Sequence, residues 1–142
     1  MTRDPRQLRE KPVQAAMRQD IVAWLKAHDF DTSPTSLSNI HAKGYQLIFR
    51  QLVLIIDDGY NFSDNVPLHD EVLSALRALE YPFVSSIDSK WFAAPGSMHS
   101  WPTLLGALHW LVELGKVSCE SLSLLCPLLD GLTFIVLRRL FE

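Results

Sequence analysis

Cysteine is scarce in this chain: Cys119 and Cys126 are the only two in 142 residues. Two thiols are too few for a disulfide framework, and their separation by seven positions is not the short spacing of a zinc half-site. They are expected as buried thiols on one helix face in a reducing compartment, and neither a metal nor a cofactor is expected. Long hydrophobic runs are also missing. The most apolar segment, "LSLLCPLLDGLTFIVL" at 122–137, is shorter than a membrane span and is interrupted by Pro127, Asp130 and Gly131. The basic N-terminal residues lead into polar ones, with no apolar stretch and no small-residue cleavage site, so no signal peptide is expected. The chain therefore reads as soluble and intracellular, with no membrane partner.

Positive charge is in short supply overall. A formal charge of −3 and a pI near 5.9 argue against a protein coated in cations, and no nucleic-acid partner is expected. The mean hides an asymmetry. Residues 1–18 hold Arg3, Arg6, Arg9, Lys11 and Arg18 against Asp4 and Glu10, a net of +3. Residues 19–89 hold ten acids against Lys26, Lys43, Arg50 and Arg77, a net of −6. The start of the chain is the electropositive end.

Catalytic signatures are absent as well. His99 with Ser97 or Ser100, or Cys119 with a histidine, has no nucleophile elbow, Gly-rich phosphate loop or metal spacing around it. Asp57 and Asp58 are adjacent, so on a helix end their side chains point apart and cannot share a proton. No enzyme is expected.

What is present is helix. The chain is 48% hydrophobic with four Trp and seven Phe, enough for one domain with a real core. Pro12 suits a first turn, and Val13, Met17, Ile21, Trp24, Leu25 and His28 recur at steps of three and four, with Arg18, Gln19 and Lys26 outside. After the turn cluster "DTSPTSLSN", Asn39 is placed to cap a second helix over about Ile40–Asp57. Its Tyr45, Ile48, Phe49, Leu52, Ile55 and Ile56 make an apolar face wide enough to be buried on most sides, which puts it in the middle of the bundle.

A third helix runs from Pro67 through Glu80 on the stripe Leu68, Val72, Leu76 and Leu79, and is expected to end because Pro82 disfavours helical geometry at Tyr81. Residues 84–98, "VSSIDSKWFAAPGSM", read as a long excursion displaying Lys90 beside Trp91 and Phe92, with one possible strand around Phe83–Ser85. Then "HSWPTLLGALHWLVELG" at 99–115 reads as a helix capped by Ser100 and stopped at Gly115. Its Trp101, Leu104, Leu105, Leu108, Leu111 and Val112 form one broad face, Gly106 and Ala107 admit a close neighbour, and His109 is a core or boundary histidine bonded to a carbonyl. Residues 117–142 read as one or two short helices split at Pro127 or Gly131.

Four segments, "RDPRQLREK", "KGYQLIFRQL", "EVLSALRALEYPF" and "HSWPTLLGALHWLVEL", occur in an order and spacing that resemble the globular head of the outer-kinetochore HEC family over about residues 3–116. The resemblance implies an all-α, calponin-homology-like bundle around a buried central helix. It divides the chain into a basic lead-in at 1–11, a head at 12–116 and a divergent apolar segment at 117–142. It implies a head that attaches chromosomes to spindle microtubules in mitosis, in the nucleus at the centromeric kinetochore. Its partners would be tubulin and a second kinetochore subunit with a similar calponin-like head, joined as a heterodimer through a coiled coil. The family's long basic tail and coiled coil have no counterpart among these residues. Carried over by position, Lys11 and His99 match microtubule-facing positions and Lys90 falls near a loop lysine, while Arg3 and Arg6 are supporting cations. The alternative is a calponin-like scaffold that docks a partner head or regulator through the apolar surface of 117–142 without touching microtubules.

Overall fold

The computed structural model describes residues 6–30, 37, 40–62 and 65–125, with side chains described as far as residue 118. Among the described residues there are four α-helices and two 3-10 turns, with no strand: α1 (Lys11–Ala27), α2 (Ala42–Ile56), α3 (Leu68–Ala78), the turns Val84–Ser86 and Ser89–Ala93, and α4 (Trp101–Leu125). The possible strand at Phe83–Ser85 is thus replaced by a 3-10 turn. Both α1 and α2 pack on α4, and α3 packs on α2 and on the two turns.

The helix in the middle is α4, not α2. Along its first half Trp101, Leu104, Leu105, Ala107, Leu108, Leu111 and Val112 are all buried. On α2 the buried residues are Tyr45, Ile48, Phe49, Leu52, Val53 and Ile56, one face only, while Leu47 is 54% exposed. An all-round apolar composition does not say which sides find a neighbour, and α2 has one side with none among the described residues. The Tyr45 hydroxyl donates to the Leu104 carbonyl at 3.0 Å, tying the first turns of α2 and α4 together. Burial, and after it Tyr81, pushes this phenol's pKa up.

Helix ends depart from expectation for identifiable reasons. α3 stops at Ala78 because Glu80 adopts a left-handed φ of 64°, letting Tyr81 N–H reach the Leu76 carbonyl at 2.9 Å. This is a Schellman closure, so Pro82 is not what ends the helix. α1 closes in the same way, with Asp29 at φ 64° and Phe30 N–H on the Leu25 carbonyl at 2.9 Å. The N-cap of α2 is His41, without a side-chain cap bond; Asn39 lies outside the described residues. Ser100 does precede α4, but its hydroxyl donates to the Ala94 carbonyl at 2.9 Å.

Gly115 does not stop α4, which continues through residue 116 to Leu125. Its role is close approach: a Cβ there would sit 2.9 Å from Trp24 Cζ2 and 3.3 Å from Cε2. In an open helix Gly→Ala stabilises by about 1 kcal/mol. Here the indole ring fills the space, so Gly115→Ala is expected to destabilise by about 1–2 kcal/mol. Thermal unfolding followed by circular dichroism checks the sign, and a rise in Tm would mean that Trp24 moves aside at no cost.

The excursion at 84–98 is less of a loop than its composition suggests. Ile87 and Phe92 are buried and Trp91 is partly buried, and Phe92 meets Tyr45 edge-on at 5.9 Å, so only Lys90 of the expected display is exposed. The expectations for Cys126, Pro127 and Gly131 fall outside the described residues, as does the side chain of Cys119. Among the described residues, no helix is long and apolar enough to cross a membrane.

Candidate functional site

Pairwise contacts along α1 and α4 fix their relative direction. The groove lined by Arg9 and Glu10 is closed by Pro102 and Thr103, Asp20 Oδ2 lies 3.0 Å from His109 Nε2, and Trp24 packs on Gly115. Residue numbers rise together, so the two helices run parallel and start at the same end. The first turn of α2 joins them there through Tyr45 and Leu104. A second groove, of about 570 Å³, is lined by His41, Ala42 and Lys43 on one side and by residues 93–97 on the other. Three helix N-termini are therefore gathered at one end of the bundle.

That geometry concentrates positive potential. Each helix start carries the positive end of a peptide dipole, which an acidic residue in the first turn usually offsets. None of α1, α2 and α4 has such a residue, whereas α3, which starts elsewhere, has Asp70 and Glu71. Glu10, at the N-cap of α1, sets one carboxylate against this field. The exposed side chains of Arg9, Lys11, His41, Lys43 and His99 lie at or beside the three helix starts. A domain of net charge −3 thus presents a localised cationic end.

The expected site residues are distributed as follows. Lys11 is the first residue of α1 and is exposed; His99 is exposed two residues before α4, and the parallel packing brings the two to the same end. Lys90 lies in the 3-10 turn Ser89–Ala93, where its backbone N–H donates to Asp88 Oδ1 at 2.9 Å. It does not line the groove beside Lys11, but its turn rests on α2 through Phe92 and Tyr45. Arg6 is partly buried: Nη1 donates to the Gly106 carbonyl at 2.8 Å and Nη2 to the Tyr81 hydroxyl at 2.6 Å. Arg3 lies outside the described residues.

His109 is a boundary histidine, but its partners are carboxylates and not a carbonyl. Nε2 meets Asp20 Oδ2 at 3.0 Å, which links α4 to α1, while Nδ1, without a hydrogen bond, lies 3.3 Å from Glu113 Oε1 one turn further along α4. Sequence reasoning passes over Lys43 and His41. Their signal is the cation at the first turn of an apolar helix that has no acid there, yet only the packing reveals that this helix start meets two others. Among the described residues, no group of three or more His, Cys, Asp or Glu side chains could hold a metal ion.

An all-α bundle of this kind, closed around a central apolar helix, has the calponin-homology-like fold. The family model described as "HEC/Ndc80p family" matches residues 12–123, and the chain belongs to that family. The family is structural and non-enzymatic. The chain is similar to "Kinetochore protein NDC80" of Saccharomyces cerevisiae, 37% identical over 117 residues that cover 78% of this chain and 16% of the relative. It is also similar to "Probable kinetochore protein NDC80" of Candida glabrata, 39% identical over 119 residues covering 80% and 16%. The protein of the same name from Kluyveromyces lactis is 36% identical over 126 residues covering 84% and 18%. The chain thus spans about a sixth of the length of these curated relatives.

Proposed function

We propose that this chain is the microtubule-binding head of an outer-kinetochore subunit, working at the centromeric kinetochore in the nucleus to hold chromosomes on spindle microtubules during mitosis. Its partners in this reading are tubulin and a second kinetochore subunit with a similar calponin-like head, paired through a coiled coil. The observation that carries the reading is the cationic end: three helix starts without first-turn acids, with Lys11, Lys43 and His99 exposed around them. Tubulin's outer surface is acidic, and a net-acidic domain can bind it only through such a concentrated patch. Lys90, exposed on the turn behind Phe92, extends the patch. Arg3, outside the described residues, enters this reading only as a further cation of the basic start of the chain.

Binding of this kind is weak per head and falls with salt, because exposed charges interact over only about 10 Å at 0.1 M ionic strength. Co-sedimentation with taxane-stabilised microtubules across a salt series tests it, with wild type beside the Lys11→Ala, Lys90→Ala, His99→Ala triple variant. At about 0.5 kcal/mol per exposed charge, the loss of the two lysine charges is expected to weaken pelleting roughly fivefold, to which His99→Ala adds the loss of its contact, with the fold intact by circular dichroism. Pelleting that ignores both salt and the triple change would overturn the site. No pelleting even at low salt would overturn the microtubule reading itself, and the scaffold reading, a head docking a partner head or regulator through an apolar surface, would then account for the chain.

A further inference from the structure

Arg6 looks in the sequence like one more cation of a basic lead-in, and the structure uses it differently. Its guanidinium donates to acceptors on two separate elements, the Gly106 carbonyl of α4 at 2.8 Å and the Tyr81 hydroxyl at 2.6 Å. Its Cζ also lies 5.2 Å from the centroid of the Phe83 ring and 5.8 Å from that of Tyr81. A planar fork over an aromatic face serves both sets of contacts at once, which an ammonium cannot do.

The residues after Arg6 follow the same surface. Leu8 fills the place a side chain at 106 would occupy: a Cβ on Gly106 would lie 3.0 Å from both Leu8 methyl carbons and 3.2 Å from Arg6 Nη2. From the other side, Gln14 Nε2 of α1 donates to the Leu8 carbonyl at 2.8 Å. Residues 6–10 are therefore a strap held between α1 and α4.

We infer that Arg6 is a positioning residue. It latches the strap to α4 and to the turn at 81–83, and thereby fixes the lead-in that ends at Lys11, the start of the segment that carries Lys90, and the helix that follows His99. The effect on binding rests on the microtubule reading above; the latch itself rests on the geometry of Arg6, Leu8 and Gly106. The latch has a signature that a contacting cation lacks. Arg6→Lys keeps the charge and loses the fork, and Gly106→Ala leaves every charge in place while crowding the Leu8 methyls and the guanidinium, which must give way by a few tenths of an ångström.

The test is amide hydrogen exchange of the strap, together with microtubule pelleting, for wild type, Arg6→Lys, Arg6→Ala and Gly106→Ala. Exchange in the core of α4 and circular dichroism serve as the check on folding. The expected result is a loss of about tenfold in protection at the strap amides in all three variants. The core of α4 stays protected, and pelleting falls in all three although two of them keep full charge. Wild-type strap protection in both Arg6→Lys and Arg6→Ala overturns the latch. Wild-type pelleting by Arg6→Lys overturns the positioning role and makes Arg6 a contact. If the wild-type chain itself does not pellet, the microtubule reading fails, and the strap amides decide the latch alone.

Discussion

Phe49→Ala is expected to cost about 3–5 kcal/mol of folding stability, the largest effect of any single truncation of α2. Phe49 is fully buried and lies parallel to the Tyr45 ring, with centroids 6.4 Å apart and planes at 11°. Tyr45 in turn meets Phe92 edge-on at 5.9 Å, so the three rings join α2 to the turn that carries Lys90. Removing Phe49 from the end of that stack leaves a cavity against the Tyr45 ring, whose hydroxyl bond to the Leu104 carbonyl keeps it from collapsing into the space, which places the cost in the upper part of the range. The control is Leu47→Ala on the same helix, 54% exposed, where the change is expected within about 0.5 kcal/mol. Urea unfolding followed by tryptophan fluorescence reads both. Equal losses at the two positions would mean that the aromatic stack is not the joint we describe.

Arg50→Ala is the second large effect, at about 3 kcal/mol or roughly a 10 °C fall in Tm. Glu71 has a side chain only 3% exposed, and Arg50 meets it with Nε 3.2 Å from both carboxylate oxygens and Nη2 2.5 Å from Oε1. The guanidinium also lies 5.1 Å over the Phe62 ring, so one side chain ties α2 to α3 and to the loop between them. The carboxylate charge is felt nearby: after burial, Glu71 and then Asp57 push the Tyr60 phenol up. Deleting Arg50 leaves a buried carboxylate without its cation, and the desolvation cost of that orphan, more than the lost attraction, sets the size of the effect. The double variant Arg50→Met, Glu71→Leu removes both charges and is expected to recover most of the loss, which differential scanning calorimetry would detect. A double variant no better than Arg50→Ala would refute this account of the pair.

The two predictions bear on the candidate site differently. The Phe49 stack reaches the Lys90 turn through Tyr45 and Phe92, so its loss should loosen that part of the cationic end as well as the core. The Arg50 pair sits by the start of α3, where the first turn holds Asp70 and Glu71 and the local charge is negative. Variants there should change stability and leave the salt-dependent binding of the folded protein unaltered.

The helices themselves are legible in the residues. Met17, Ile21 and Leu25 on α1, and Val72 and Leu76 on α3, recur at helical spacing and are all buried, because a stripe of that period can leave water only by packing as a helix. The order of the motifs carries the family, and the exposed positions of Lys11, Lys90 and His99 are readable as cations or histidines at element starts. The readings that fail are those in which a residue's meaning depends on what lies across from it. Gly115 reads as a stop and is a seat for Trp24; Phe92 reads as displayed and is core; Arg6 reads as a free charge and is held by Gly106 and Tyr81.

Local periodicity, the class of fold and the charge asymmetry can all be read from the residues, since each of these follows from neighbours close in the chain. It takes the packing to show that α1 and α4 run parallel, that three helix starts without first-turn acids meet at one end, and that Lys43 joins Lys11 and His99 there. The reason is physical: helix dipoles and surface cations add up only when packing brings them together, and contacts such as Arg6 with Gly106, 100 residues apart, leave no trace in the spacing of either partner's neighbours.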